Sequence, residues 1–156
     1  MDISIQFVNI RHPDLKALVG KLDRYLVAQF GEAAERYRCD HDLSAMSGAV
    51  VAYAGVHAVG CCCWRPYDAV TAELKRMFVV PDYRREGVAL KIMHALEEHA
   101  AASGCHRAVL ETGAEMADAL RCFEKAGYRI IPNYGAFVDD ALCVCMAKEI
   151  SDGTMR

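Results

Sequence analysis

The chain of 156 residues contains eight cysteines but no C-x-x-C pair, which excludes a zinc ribbon or a thioredoxin-type redox motif. Cys61, Cys62 and Cys63 are consecutive, Cys143 and Cys145 share one strand face, and Cys39, Cys105 and Cys122 are scattered. In a reducing compartment such thiols act as small core hydrophobes. There is no H-x-H or H-E-x-x-H among six histidines, so no metal site is indicated. Neither G-x-x-x-x-G-K-[ST] nor G-x-G-x-x-G occurs, which argues against a nucleoside triphosphate or a dinucleotide. Basic excess is missing too: 18 Lys and Arg face 21 Asp and Glu, for a net charge of −3 and a pI near 6.1. Nucleic acid and anionic membrane are therefore not expected partners. No apolar run approaches the roughly 20 residues of a membrane span, and MDISIQFVNI reads as a strand and not a secretory signal, so the expected location is cytoplasmic. With no linker, repeat or low-complexity stretch, residues 1–150 are expected to form one domain followed by a tail, 151–156.

The patterns that are present predict a mixed architecture. ISIQFVNI (3–10) reads as a first strand. HPDLKALVGKLDRYLVAQF (12–30) reads as an amphipathic helix, with Pro13 in its first turn and apolar Leu15, Leu18, Val19, Leu22, Tyr25, Leu26 and Phe30. Residues 31–47 are irregular or briefly helical. GAVVAY (48–53), a turn at Ala54-Gly55 and VHAVGCCCW (56–64) form a hairpin that Pro66 ends. TAELKRMFVV (71–80) is a fourth strand, residues 87–103 a helix closed by Gly104, and HRAVLET (106–112) a fifth strand. A helix over about 115–126 stops at Gly127, YRII (128–131) starts a sixth strand, and ALCVCMAK (141–148) makes a seventh. The class is α/β (α+β), antiparallel first and βαβ-like second.

VVPDYRREGVALKIMHALEE (79–98) carries the most chemistry. The first turn of a helix leaves backbone N–H groups without partners and is partly positive, so a strand-to-helix turn of this kind binds anions. Gly87 would let a phosphate oxygen approach the amides of residues 85–89, small Ala89 keeps the next turn clear, and Arg84 and Arg85 add charge-assisted bonds. The stretch suits a diphosphate; simple capping of a helix by a glycine, with exposed arginines, is the alternative.

Arg84-Arg85-Glu86-Gly87-Val88-Ala89 resembles the R-x-x-G-x-G/A acetyl-CoA signature of the GNAT superfamily of N-acetyltransferases. AVLETG (108–113) and ALRCFEKAGY (119–128) resemble that family's fifth strand and its A-x-x-x-Y-E-x-x-G-F/Y segment. The resemblance runs from about residue 48 to 148, and residues 1–47 match in element order only. It implies a mixed, mostly antiparallel sheet of about six to seven strands, flanked by about four helices and splayed between strands four and five. It also implies acetyl-CoA as cofactor, with the pantetheine arm on the backbone of Met77, Phe78 and Val79 and the diphosphate on amides from Arg84 through Arg85, Glu86, Gly87 and Val88 to Ala89. A homodimer is a family-level expectation.

An alkylammonium of pKa near 10.4 is neutral in about one part in a thousand at pH 7.4, a cost of roughly 4 kcal/mol before it attacks a thioester. Glu73 lies on the fourth strand where many relatives carry a carboxylate, and it is expected to share strand parity with Met77 and Val79. It is the candidate base or water relay; an exposed carboxylate paired with Lys75 or Arg76 is the alternative. The tyrosine that many relatives use to protonate the departing thiolate aligns with Phe123, which has no proton to give and would pack beside the thioester. A thiol of pKa about 8.5 leaves as thiolate at a cost of only about 1.5 kcal/mol at pH 7.4, so an acid is dispensable in principle. Tyr134, Tyr128 and Cys122 are substitute donors, with Tyr134 preferred because IPNYGAF (131–137) is expected to border the acceptor pocket. Met116 stands where relatives often carry a polar residue that contacts the cofactor. His41, with Cys39, Asp40 and Asp42, is a lesser candidate for that pocket. The acceptor is expected to be a primary amine of a small molecule or peptide, attacked in a ternary complex. A silent acyl-CoA-binding sensor and a scaffold without ligand are the competing readings.

Overall fold

Pro13 opens the first helix at a position where a missing N–H costs no hydrogen bond. The computed structural model, which describes residues 2–31, 42–114 and 116–151, runs α1 over Pro13–Phe30, with His12 as its cap, Nδ1 accepting from the Asp14 amide at 3.1 Å. Seven strands, β1 (Ile3–Val8), β2 (Gly48–Ala54), β3 (His57–Asp68), β4 (Thr71–Val79), β5 (Arg107–Gly113), β6 (Arg129–Ile131) and β7 (Cys143–Glu149), form a sheet in the order β1-β2-β3-β4-β5-β7-β6. The pairs β1–β2, β2–β3, β5–β7 and β6–β7 are antiparallel. β4 and β5 are parallel, because the chain between them crosses over through α2 (Val88–Ala102). Their register ends at Glu73↔Val109, although β4 continues to Val79 and β5 to Gly113, which is the expected splay. With α3 (Ala117–Lys125), the described residues hold three α-helices instead of about four.

The chain divides into two compact units, Met1–Arg65 with Lys75–Ala95, and Pro66–Leu74 with Leu96–Arg156. In the first, Leu15, Leu18, Val19 and Leu22 of α1, one stripe at helical spacing, bury against Ala49, Val51, Tyr53, Cys61, Cys63 and Phe78. Val50, Ala52 and Cys62 point to the opposite face and are also fully buried, so β2 and β3 read as near-continuous apolar runs. All three β3 cysteines are free and buried. Burial pushes their thiols upward, Cys63 to about 12, which leaves them inert packing groups. Gly60 is required by close approach: a Cβ there would lie 3.0 Å from Ile92 Cδ1 and 3.2 Å from both the Phe78 carbonyl and Val88. That gap lets the start of α2 sit against β3.

Two sequence expectations change. Pro66 does not end β3, which continues to Asp68. The ladder to β2 stops at Gly48↔Trp64, so on that side Pro66 lies past the last pair and its missing N–H breaks no bond. Arg76 is left-handed, with φ 63°, and interrupts the pleat of β4. Parity counted from Glu73 therefore does not carry through to Met77 and Val79.

In the second unit β7 lies between β5 and β6. Glu97 of α2 is buried, accepts from Tyr128 Oη at 2.8 Å and from Lys148 Nζ at 2.7 Å, and so ties the end of α2 to β7 and to the residue that follows the α3 turn. Gly127 makes that turn with φ 100°.

Candidate active site

In the first unit β4 runs into a single 3-10 turn, Pro81–Tyr83, and then into the mouth of α2. Two residues there are left-handed, Arg85 at φ 66° and Gly87 at φ 79°. The first helical hydrogen bond, Lys91 N–H to the Gly87 carbonyl at 3.2 Å, leaves the amides of Val88, Ala89 and Leu90 ahead of the ladder. No acidic side chain lies in the first turn of α2, and a Cβ built at Gly87 meets no heavy atom within 4 Å among the described residues. The arrangement is a positive helix end with open space above it, which fits a phosphate.

The two arginines are not equivalent. Arg84 Nε donates to the Val79 carbonyl at 2.9 Å, and its guanidinium lies 5.5 Å from the Tyr25 ring centroid and 5.7 Å from that of Phe78. Arg84, Arg85 and Glu86 are all exposed, but the Arg84 guanidinium is engaged in holding the strand end. Phe78 and Val79 are buried and Met77 is half-buried.

In the second unit Tyr134, at the start of the turn Gly135–Phe137, donates its hydroxyl to Glu73 Oε2 at 2.7 Å. The partners are 61 residues apart in sequence. Glu73 is 2% exposed and so is not a solvent-facing carboxylate, and Arg76 is engaged by Asp23. The Tyr134 ring packs 5.0 Å from Tyr67 and 5.8 Å from Phe137. Burial, then the Glu73 charge and the hydrogen bond to it, then Cys145 and Glu111, hold the Tyr134 hydroxyl far above its ordinary titration range. The register explains the company. Val109 pairs with Glu73 and Glu111 with Cys145, and side chains two apart on a strand share a face, so Glu73, Glu111 and Cys145 stand on one face of the sheet. Burial and the neighbouring Glu111 push the Cys143 thiol upward.

The other candidates lie as follows. Phe123 of α3 is buried, with its ring edge-on to Tyr128 at 6.4 Å. The Tyr128 hydroxyl is held by Glu97, burial raises the Cys122 thiol, and Tyr134 is the substitute donor whose hydroxyl is bonded to the candidate base Glu73. Met116 caps α3 without a side-chain bond to the helix. Cys39, Asp40 and His41 lie outside the described residues. The sequence alone does not single out Glu111 or Tyr67. Glu111 was visible as an acidic residue in a strand, but its neighbours depend on sheet register; Tyr67 was hidden by reading Pro66 as a terminator. Among the described residues no group of three or more His, Cys, Asp and Glu could hold a metal ion, and no helix is long and apolar enough to cross a membrane.

A model of the acetyltransferase (GNAT) family matches residues 15–128. The chain is 31% identical over 78 residues to IAA acetyltransferase of Azospirillum brasilense, covering 50% of this chain and 51% of that one. It is 38% identical over 72 residues to a second curated relative, from Xenopus tropicalis, covering 46% and 35%. The matched stretches thus span about half the length of the first relative and about a third of the second. The fold is similar to that of PaiA N-acetyltransferase of Thermoplasma acidophilum, solved in complex with coenzyme A, with a TM-score of 0.74 at 17% identity over 96% of this chain and 99% of that one.

Proposed function

This chain belongs to the acetyltransferase (GNAT) family, and from that premise we propose that it is an acetyl-CoA-dependent N-acetyltransferase that acetylates a primary amine of a small molecule or peptide by direct attack in a ternary complex. When bound, acetyl-CoA supplies an acyl group on a good leaving thiol. The chain holds it through the backbone of Met77, Phe78 and Val79 and the amides from Arg84 to Ala89, with Arg85 the arginine left to reach a phosphate and Phe123 as an apolar neighbour. The open, positive mouth of α2 supports that assignment.

The observation that carries the chemistry is the 2.7 Å bond between Tyr134 Oη and Glu73 Oε2. Glu73 takes the proton that the acceptor ammonium must lose. While Glu73 is charged, Tyr134 keeps its own proton firmly. Once Glu73 is neutralised that hold weakens, and Tyr134 can pass its proton to the departing sulfur and draw another from Glu73. Glu73, ionised again, takes the second proton that the nitrogen loses as the amide forms and yields it to solvent. Phe123 then needs no hydroxyl. Carboxylates of Glu73 and Glu111 on one face favour an acceptor that arrives as a cation. We further place the protein in the cytoplasm, as one acetyltransferase domain over residues 1–150 that forms a homodimer.

The test is thiol release from acetyl-CoA across a panel of primary amines, namely alkylamines, polyamines, amino acids and short peptides, alongside thermal shift with acetyl-CoA. Binding with amine-dependent thiol release supports the enzyme. Binding with none across the panel favours a silent acyl-CoA sensor, and no binding at millimolar ligand leaves only a scaffold.

A further inference from the structure

Asn133 precedes Tyr134 in the connection between β6 and β7, and its side chain is more heavily bonded than any chemistry assigned above requires. Asn133 Nδ2 donates to the main-chain carbonyls of Phe137 at 3.0 Å, Asp140 at 3.0 Å and Cys143 at 3.2 Å. An amide nitrogen has two hydrogens, so one is shared. With three carbonyls facing it, only the nitrogen can occupy that place. The connection has little regular structure of its own: one 3-10 turn at Gly135–Phe137 and a left-handed Asp139 at φ 69°, a conformation that a non-glycine keeps only when its surroundings enforce it. Buried Phe137 and the first residue of β7, Cys143, are the fixed points to which Asn133 ties it. We propose that Asn133 is the positioning residue for Tyr134: by gathering the carbonyls of residues 137, 140 and 143 it folds this connection so that the adjacent Tyr134 hydroxyl meets Glu73. Its effect on turnover rests on the role given to Tyr134 above; its effect on the placement of Tyr134 does not.

The experiment is a tyrosine titration followed at 295 nm, with amide hydrogen exchange at neutral pH, on wild type, Asn133→Asp and Asn133→Asp/Tyr134→Phe. Aspartate keeps the shape but, ionised, donates nothing to the carbonyls. In wild type Tyr134 faces Glu73, Glu111, Cys145 and Tyr67 and stays protonated while ordinary tyrosines ionise. Asn133→Asp is expected to gain one tyrosinate near the ordinary value of about 10, absent from the double variant, and to speed exchange of amides 135–143 by about tenfold or more. Turnover on the amine selected by the panel should fall about tenfold or more with acetyl-CoA KM within about twofold, and the same substitution should change turnover less than about twofold in a Tyr134→Phe background. If Asn133→Asp does not fold, Asn133→Ser, whose hydroxyl reaches at most one carbonyl, carries the same expectations. A Tyr134 that stays silent, with unchanged exchange, overturns the proposal. Should Tyr134 be released while Tyr134→Phe keeps full turnover, positioning stands and the proton-donor role of Tyr134 falls.

Discussion

Replacing Glu73 by glutamine alters one charge and almost no volume, which makes it the sharpest probe of the proposed chemistry. Tyr134 would keep a partner, since the glutamine carbonyl still accepts its hydroxyl. The loss is the difference between a charge-assisted bond of about 1.5–3 kcal/mol and a neutral one near 1 kcal/mol, too small to unseat the ring from Tyr67 and Phe137. What disappears is the site that takes the amine proton. At pH 7.4 the medium lies about three units below the acceptor's pKa of about 10.4, a cost of about 4 kcal/mol, and positioned base catalysis is worth about 10²–10⁴-fold. Glu73→Gln is therefore expected to lower kcat by about that factor at neutral pH, with acetyl-CoA affinity held within about twofold because the helix mouth is untouched. Each pH unit supplies about tenfold more neutral amine, so kcat/KM of the variant should climb nearly tenfold per unit from about pH 7 to 9, more steeply than wild type. Continuous thiol release at saturating acetyl-CoA measures both. Wild-type turnover across about pH 6–9 would remove Glu73 from the mechanism and refute the reasoning.

Three further outcomes follow from the same geometry. Acetyl-CoA should raise Tm by the linkage RT ln(1 + [L]/Kd), and Gly87→Asp should abolish the shift by setting a charged side chain, in a left-handed conformation of φ 79°, where the phosphate sits; a retained shift would move the cofactor elsewhere. Arg84→Ala should destabilise the free protein by about 1–2 kcal/mol, through the Val79 carbonyl and the stacked rings, whereas Arg85→Ala should leave free stability nearly unchanged and weaken acetyl-CoA by about 1–3 kcal/mol; denaturant melts and ligand titrations separate the two. Alkaline stability tests Tyr134. Its folded-state value lies above the unfolded 10.0, so its contribution is fully present below pH 10 and is lost as pH rises above it, by at most about 1.4 kcal/mol per pH unit. Tyr134→Phe should flatten the fall of stability between about pH 10 and 11; an unchanged slope would mean that Tyr134 ionises normally in the folded protein.

Much of this is legible in the amino-acid sequence. The stripe of Leu15, Leu18, Val19 and Leu22, the glycine at the helix mouth and the stops at Gly104 and Gly127 are local facts, set by helical period and by what a backbone without Cβ can do, and each holds in the structure. Glu73 and Tyr134 were each named from sequence, one by its place on a strand and one by its loop. Less legible were the two places where a local rule met a non-local exception. Pro66 reads as a strand end until the partner ladder is seen to stop at Trp64, and parity along β4 reads as continuous until Arg76 turns left-handed, its side chain drawn to Asp23.

What the sequence determined by itself, then, is the order of most strands and helices, the glycine-bearing mouth of α2 and the family, because all three reside in residues close together along the chain. What only the tertiary structure decided is which groups meet. Two residues 61 apart form a hydrogen bond only because the β6–β7 connection closes in one shape. Glu111 stands on the face of Glu73 only because β5 pairs with β4 in that register, and the Arg84 guanidinium meets the Tyr25 ring only because α1 brings it there. A hydrogen bond gains only about 0.5–1.5 kcal/mol net, too little to select a fold from the residues that share it, so such pairings are consequences of the packed whole and cannot be read from either partner alone.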